Sequence, residues 1–216
     1  MKRSFLKDRK TLVIHNGIDT KGQFYPRSAE DAAKLRNEYG VPEAAKLILS
    51  VAPDIMDVRK GGETVLQVAT ESLKQNKDYF FILAGTDETT KTSDNVQLIQ
   101  RTKNQEELAR LYSAADVFLM TSLMENFPTT CIESLCCGTP VVGIKNTGGT
   151  EETAPAPYGI FVERETDTIL KALEEMLISK PSKDKISSWA REEYSNETMA
   201  VKYLDLYQQI MECKQA

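Results

Sequence analysis

The chain has 216 residues, 41% of them hydrophobic and 27% charged, proportions that suit a globular protein and exclude a disordered or fibrous one. Against 27 basic side chains stand 32 acidic ones, and the net charge of −5 argues against a nucleic-acid binder acting through bulk electrostatics. No apolar run approaches the ~18 residues of a membrane helix, and the basic start MKRSFLKDRK has no apolar segment behind it, so it reads as no secretory signal.

In chain order, short apolar runs alternate with helical patterns. Strands are expected at 11–14 (TLVI), 46–51 (KLILSV), 79–84 (YFFILA), 96–100 (VQLIQ), 116–121 (DVFLMT), 140–144 (PVVGI) and 159–162 (GIFV). Most are continuous β-branched or aromatic runs, as in strands buried on both faces. Between them helices are expected at 28–39, from a Ser28 cap to Gly40, and at 62–75, 104–114, 129–137, 167–179, 183–194 and 197–213. Asn196 reads as the cap of the last of these rather than as a glycosylation acceptor. Such alternation predicts an α/β fold, a Rossmann-like open parallel sheet with helices on both faces, the last two helices forming an appendage. The four cysteines, Cys131, Cys136, Cys137 and Cys213, include no C-x-x-C pair, and His15 is the only histidine. No zinc site is therefore expected, and the thiols read as those of a reduced, cytosolic protein.

Ligands of such sheets bind beyond the carboxyl ends of the strands, where the strand order reverses. Three loops there carry unusual residues. Arg59-Lys60-Gly61-Gly62 joins two cations and two glycines at a helix start, which suits an anion, the alternative being a solvated basic turn. Residues 122–138 (SLMENFPTTCIESLCCG) place Glu125 in a loop and Glu133 on the helix after it. On that helix Cys131, Ile132, Leu135 and Cys136 form the expected core stripe, and Thr130, Glu133, Ser134 and Cys137 the polar one. A carboxylate so placed accepts strongly from vicinal sugar hydroxyls; the alternative is a surface Glu. Lys145-Asn146-Thr147-Gly148-Gly149-Thr150-Glu151-Glu152 either wraps a small polar ligand or is a common loop. G-x-G-x-x-G and P-loop patterns are both absent.

Together VIHNGID at 13–19, RKGG at 59–62, ELARLYSAADVFLMTS at 107–122, the Glu125…Glu133 pair and CCGTPVV at 136–142 resemble glycosyltransferase family 4, retaining nucleotide-sugar-dependent enzymes of the GT-B fold. The resemblance covers nearly the whole chain but only the C-terminal, donor-binding half of that fold. It implies that Glu133 holds the ribose hydroxyls and that Glu125, with the backbone N–H groups of Asn126, Phe127 and Thr129, faces the donor sugar. Lys60 would neutralise the diphosphate with Thr130 and the helix N-terminus, Arg59 supplying a second cation. The stretch around Gln100, Arg101 and Thr102 would lie along the base. Where the family has a Gly-Gly-x-x-E element, Thr153-Ala154-Pro155-Ala156-Pro157 follows here, a departure that bears on sugar specificity.

The resemblance further implies a nucleoside diphosphate sugar as partner, UDP sugars being the commonest donors and a UDP-linked hexose the expected one; no cofactor is expected, and no metal, since the site lacks an Asp-x-Asp pair and cationic side chains with a helix N-terminus fill that role. The N-terminal acceptor-binding domain would be missing, the chain starting at about the linker. Residues 1–196 would form the donor domain and 197–216 a helix crossing to that other half, leaving part of its apolar face exposed. A glycan or lipid-linked acceptor would serve the full enzyme, which would be cytoplasmic and peripheral at the inner face of the membrane. Two other functions stay open: a non-catalytic nucleotide-sensing or interaction domain, and a GT-B nucleotide-sugar epimerase.

Overall fold

Alternation of side chains across the sheet explains why these apolar runs need cover on both sides. In the computed structural model, which describes residues 11–102 and 104–215, Leu47 and Leu49 of β1 (Lys46–Val51) pack on one face and Ile48 on the other. β2 (Tyr79–Thr86) repeats the pattern, with Phe80 and Ile82 on the first face and Phe81 and Leu83 on the second. β5 (Val117–Met120), β6 (Val141–Ile144) and β7 (Gly159–Val162) follow on one side of β1, and β4 (Val96–Gln100) and β3 (Thr90–Ser93) close the other edge. The order is β3-β4-β2-β1-β5-β6-β7, parallel except for β3 against β4. The chain thus steps outward from β1 in one direction, then returns to β1 and steps the other way with β5. The reversal point lies between β1 and β5.

Helices cover both faces. α1 (Ala29–Glu38), α3 (Gln105–Ala114), α4 (Thr129–Cys136) and α7 (Lys183–Glu193) bury Leu35, Leu111, Ile132 and Ile186 against the first; α2 (Gly62–Lys74) and α6 (Thr166–Ser179) bury Val65, Val68, Leu170 and Leu173 against the second. Ser28, Asn104 and Ser182 each cap the helix they precede, accepting from Asp31 N, Glu107 N and Lys185 N. A short α5 (Thr150–Thr153) follows β6, and α8 (Asn196–Gln215) ends the described chain.

Six of the seven expected strands form, and all seven helices. The exception is 11–14. Leu12 and Val13 are 62% and 69% exposed, and residues 11–17 adopt no regular structure. A strand needs a ladder, and the pairing nearest in the chain is past that run, at the α7–α8 corner: Ile18 N donates to Tyr194 O at 2.9 Å, and Asn196 N to Ile18 O at 3.2 Å. Three more expectations need correction. α7 is no appendage, since Ile186 and Ala190 are fully buried in the main core. Ser195, not Asn196, caps α8, accepting from Thr198 N at 3.0 Å. The polar stripe of α4 is interrupted, because Ser134 and Cys137 are fully buried, Ser134 donating to Thr139 O at 2.9 Å. Strand β3, the 3₁₀ turn Val58–Lys60 and α5 were not expected; TKTS is wholly polar, and its strand arises from folding back on β4. The N-terminal decapeptide, Lys103 and the Cys213 side chain lie outside the described residues. On α8, Tyr203, Tyr207, Ile210 and Met211 are all exposed, as expected of its apolar face. No helix among the described residues is long and apolar enough to cross a membrane.

Candidate functional site

The loops leaving β1 and β5 flank the reversal point, and each runs into a helix whose first turn has no side-chain cap. Gly61 begins α2 in the left-handed region (φ +73°), pressed so closely on the Thr121 carbonyl that a Cβ would collide with it. Pro128 begins α4, its fixed φ suiting the position. Neither helix has a side-chain cap, so the positive ends of two helix dipoles lie near the reversal point.

Into this crevice come the two charged groups singled out in the sequence. Lys60 Nζ lies 2.8 Å from Glu125 Oε1, the lysine side chain 31% exposed and the glutamate 15%. The small cleft around them, of about 200 Å³, is lined also by Ala52, Ser122, Thr129 and Thr130. The loop after β6 braces Glu125 from behind: its N–H donates to Thr147 O at 2.7 Å, and its carbonyl accepts from Gly149 N at 3.1 Å. Gly148 and Gly149 are needed there, because a Cβ on either would run into the carbonyl oxygen of Glu125 or Asn126. The Gly-Gly element is thus a backbone clamp on the Glu125 loop. Asn126 and Thr129 are exposed, and Phe127 is half-buried.

Glu133 lies one turn into α4 and takes no part in the ion pair. Burial raises its pKa, and hydrogen bonds from Tyr112 and Thr129 pull it back in part. Tyr112 donates its hydroxyl to Glu133 Oε2 at 3.1 Å. Arg59 stands apart as well. Its guanidinium, 81% exposed, turns to Asp57 and holds that carboxyl down at about 2. Arg101 is exposed and Thr102 half-buried, beyond β4; Arg101 N donates to Thr86 O at 3.1 Å, and Gln100 Nε2 to Asp87 O at 2.8 Å.

Two neighbours were not singled out as site residues in the sequence, although His15 lies in the VIHNGID motif. Arg164, from the loop after β7, donates to Ser122 O at 2.9 Å and Thr64 Oγ1 at 3.3 Å, tying that loop to the start of α2. Burial lowers its pKa. His15 stacks on Phe127 with ring centroids 4.2 Å apart and has Nε2 3.8 Å from Glu152 Oε2. Nothing local marks these contacts, which join residues far apart in the chain. Cys131, Cys136 and Cys137 are buried free thiols, the last pushed up by burial to about 12, so they are not nucleophiles. Among the described residues, no group of His, Cys, Asp and Glu could hold a metal ion. What the crevice offers is a cation, a paired carboxylate and two helix N-termini, a combination that takes an anionic group attached to a hydroxyl-rich one.

Comparison with known proteins bears on the same chain. The family model described as Glycosyl transferases group 1 matches residues 31–193. An uncharacterized glycosyltransferase of Methanocaldococcus jannaschii is 28% identical over 94% of this chain and 55% of its own length. A probable sucrose-phosphate synthase of Thermosipho melanesiensis is 30% identical over 93% of this chain and 48% of its own. Among solved structures, the sucrose-phosphate synthase of Thermosynechococcus elongatus matches with a TM-score of 0.74 at 24% identity, covering 97% of this chain and 56% of that one. HepE of Anabaena, in complex with UDP-glucose, gives 0.69 at 19% identity over 92% of this chain and 57% of that one. The chain spans about half the length of the curated relatives it matches.

Proposed function

Because the chain belongs to the Glycosyl transferases group 1 family, with the Rossmann-like sheet of GT-B enzymes, we propose that it is the donor-binding half of a retaining, family 4 glycosyltransferase taking a UDP-linked hexose. The observation that carries this reading is the Lys60–Glu125 pair at 2.8 Å, set between two uncapped helix N-termini at the reversal point of the sheet. The UDP-glucose complex of HepE, alike in fold, favours a uridine diphosphate donor.

In this reading the diphosphate sits over the N-termini of α2 and α4, with Thr130 and Lys60 against it. Lys60 leaves Glu125 for the phosphate oxygens, and Glu125 turns to the sugar hydroxyls beside the N–H groups of Asn126, Phe127 and Thr129. Arg59 joins as a second cation by giving up Asp57. Glu133 accepts from the ribose, and the base lies along Gln100, Arg101 and Thr102. On transfer, negative charge grows on the departing diphosphate, where a preorganised cation and fixed N–H dipoles lower the barrier. The acceptor, a glycan or lipid-linked hydroxyl, attacks from the face the nucleotide leaves and passes its proton towards the departing phosphate. Holding that acceptor belongs to a further, N-terminal domain, to which α8 crosses, so the 216-residue chain by itself binds donor without turnover.

Titration of UDP against the parent and Glu133→Ala tests the assignment. Loss of a charged hydrogen-bond partner should weaken UDP by roughly 10- to 150-fold. A folded Glu133→Ala that binds UDP like the parent would overturn it. Lys60 and the helix N-termini fill the place of a metal, so chelator should leave UDP affinity unchanged; binding that needed added magnesium would remove Lys60 from its role.

A further inference from the structure

Tyr112 lies on α3, and Glu133, which meets its hydroxyl, lies on α4. The tyrosine is wholly buried and packs edge-on against Phe118 and Phe24, with ring centroids 5.5 and 6.4 Å away. Its backbone is anchored too, since its carbonyl accepts from Thr139 Oγ1 at 2.6 Å. The hydroxyl therefore has a fixed position from which to donate. A buried tyrosine needs some acceptor, and Tyr194 in the same core shows the ordinary solution, bonding the backbone carbonyls of Glu152 and Thr153. Tyr112 instead bonds an ionisable side chain on another helix. Glu133 is only half-buried, and with Tyr112 and Thr129 as its donors the carboxylate keeps lone pairs for a further donor.

We propose that Tyr112 is a positioning residue of the nucleotide site, its hydroxyl fixing the Glu133 carboxylate in the orientation that meets the ribose hydroxyls. The inference rests on the reading of Glu133 as the ribose acceptor. The Tyr112 and Thr129 donors take two of the carboxylate's roughly four lone-pair sites and leave it as an acceptor for the vicinal diol. They also oppose protonation of a carboxyl that burial would otherwise favour neutral. Without the hydroxyl, Glu133 keeps only the Thr129 bond near the start of its own helix, and the order that Tyr112 imposed must be supplied at the moment of binding.

The test is the ratio of affinities for UDP and 2′,3′-dideoxy-UDP, which reads the ribose contact and cancels the diphosphate. The parent chain should prefer UDP at least tenfold, and Glu133→Ala should erase the preference. Tyr112→Phe should cut it by about 3- to 10-fold while leaving dideoxy-UDP within twofold of the parent. In the double variant, Tyr112→Phe should add nothing to Glu133→Ala. Should Tyr112→Phe fail to fold, Tyr112→p-fluorophenylalanine fills the hydroxyl's space with no proton to donate and should lose the same preference. If Glu133→Ala erases the preference but both folded Tyr112 variants keep it, the positioning role is wrong and the ribose reading stands. Equal losses for both nucleotides in those variants would make Tyr112 a packing residue only. A preference that survives Glu133→Ala would overturn the ribose reading itself.

Discussion

The two ends of the sheet handle charge in opposite ways. At the amino end of the strands, Asp116 accepts from Arg36 at 2.7 Å, Lys180 at 3.3 Å and Leu47 N at 3.0 Å, and Arg36 and Lys183 also donate to carbonyls at the end of α3. Burial alone would push Asp116 up, but Lys180 and Arg36 outweigh it and hold the carboxyl below its ordinary value. Cations there meet a helix C-terminus, so charge and dipole agree without a ligand. At the carboxyl end, Lys60 sits instead beside the N-termini of α2 and α4, where dipole and cation repel and a single carboxylate, Glu125, stands between them. The first arrangement is closed; the second is the one proposed to take an anion. Similar ion-pair distances thus occur in a closed structural cluster at one end and in the crevice proposed to bind the donor at the other.

Breaking the closed end should have the largest effect. Asp116→Ala strands Arg36 and Lys180 and should cost about 3 kcal/mol of stability in urea denaturation, with UDP affinity unchanged in the folded fraction. At the open end the reverse is expected. Lys60→Ala should weaken UDP by roughly 10- to 150-fold and uridine hardly at all, with less than about 1 kcal/mol lost in stability, as calorimetric titration and denaturation would show together. Equal losses for both ligands would mean that the two ends are alike.

A smaller effect separates them by pH. The ammonium of Lys183, a residue exposed as a whole, donates to the Ser113 carbonyl at the end of α3 and is pushed down by burial to about 8. Its charge therefore costs stability below that pH, and the cost is relieved as pH rises from about 8 towards the unfolded value of 10.5. The buried thiols and tyrosines, shifted upward, act against folding over the same alkaline range, so the measurement is the difference between parent and Lys183→Gln. That difference should move in favour of the parent above pH 8, while UDP affinity follows no such trend. The smallest effect is expected at Arg59, exposed and already bonded to Asp57: Arg59→Ala should weaken UDP about threefold, well short of Lys60→Ala. A larger loss would show that the guanidinium abandons Asp57 for the ligand.

Periodicity carried most of the fold. Strands 46–51, 96–100 and 159–162 form over the expected residues, because runs such as KLILSV are apolar on both faces and suit only a covered sheet. TLVI at 11–14 misleads for the same reason: an apolar run reports the wish to be buried and is silent on whether a neighbour has a free edge. Ser134 and Cys137 fall on the polar stripe by helical spacing, yet both are fully buried, Ser134 donating to the Thr139 carbonyl at 2.9 Å.

Of the site, the sequence by itself determined the parts whose meaning is local: glycines and cations at one helix start, two carboxylates eight positions apart, and a Gly-Gly turn. Tertiary structure alone decided their partners. The chain order β3-β4-β2-β1-β5-β6-β7 brings the loop after β1 to the loop after β5, and so sets Lys60 against Glu125 across 65 residues while Arg59, its immediate neighbour, turns to Asp57. The same packing places Tyr112 under Glu133, Arg164 on Ser122 and His15 on Phe127. Local pattern records which face of an element avoids water; the identity of the group across the crevice depends on strand order and helix packing, interactions between segments that no single stretch of sequence contains.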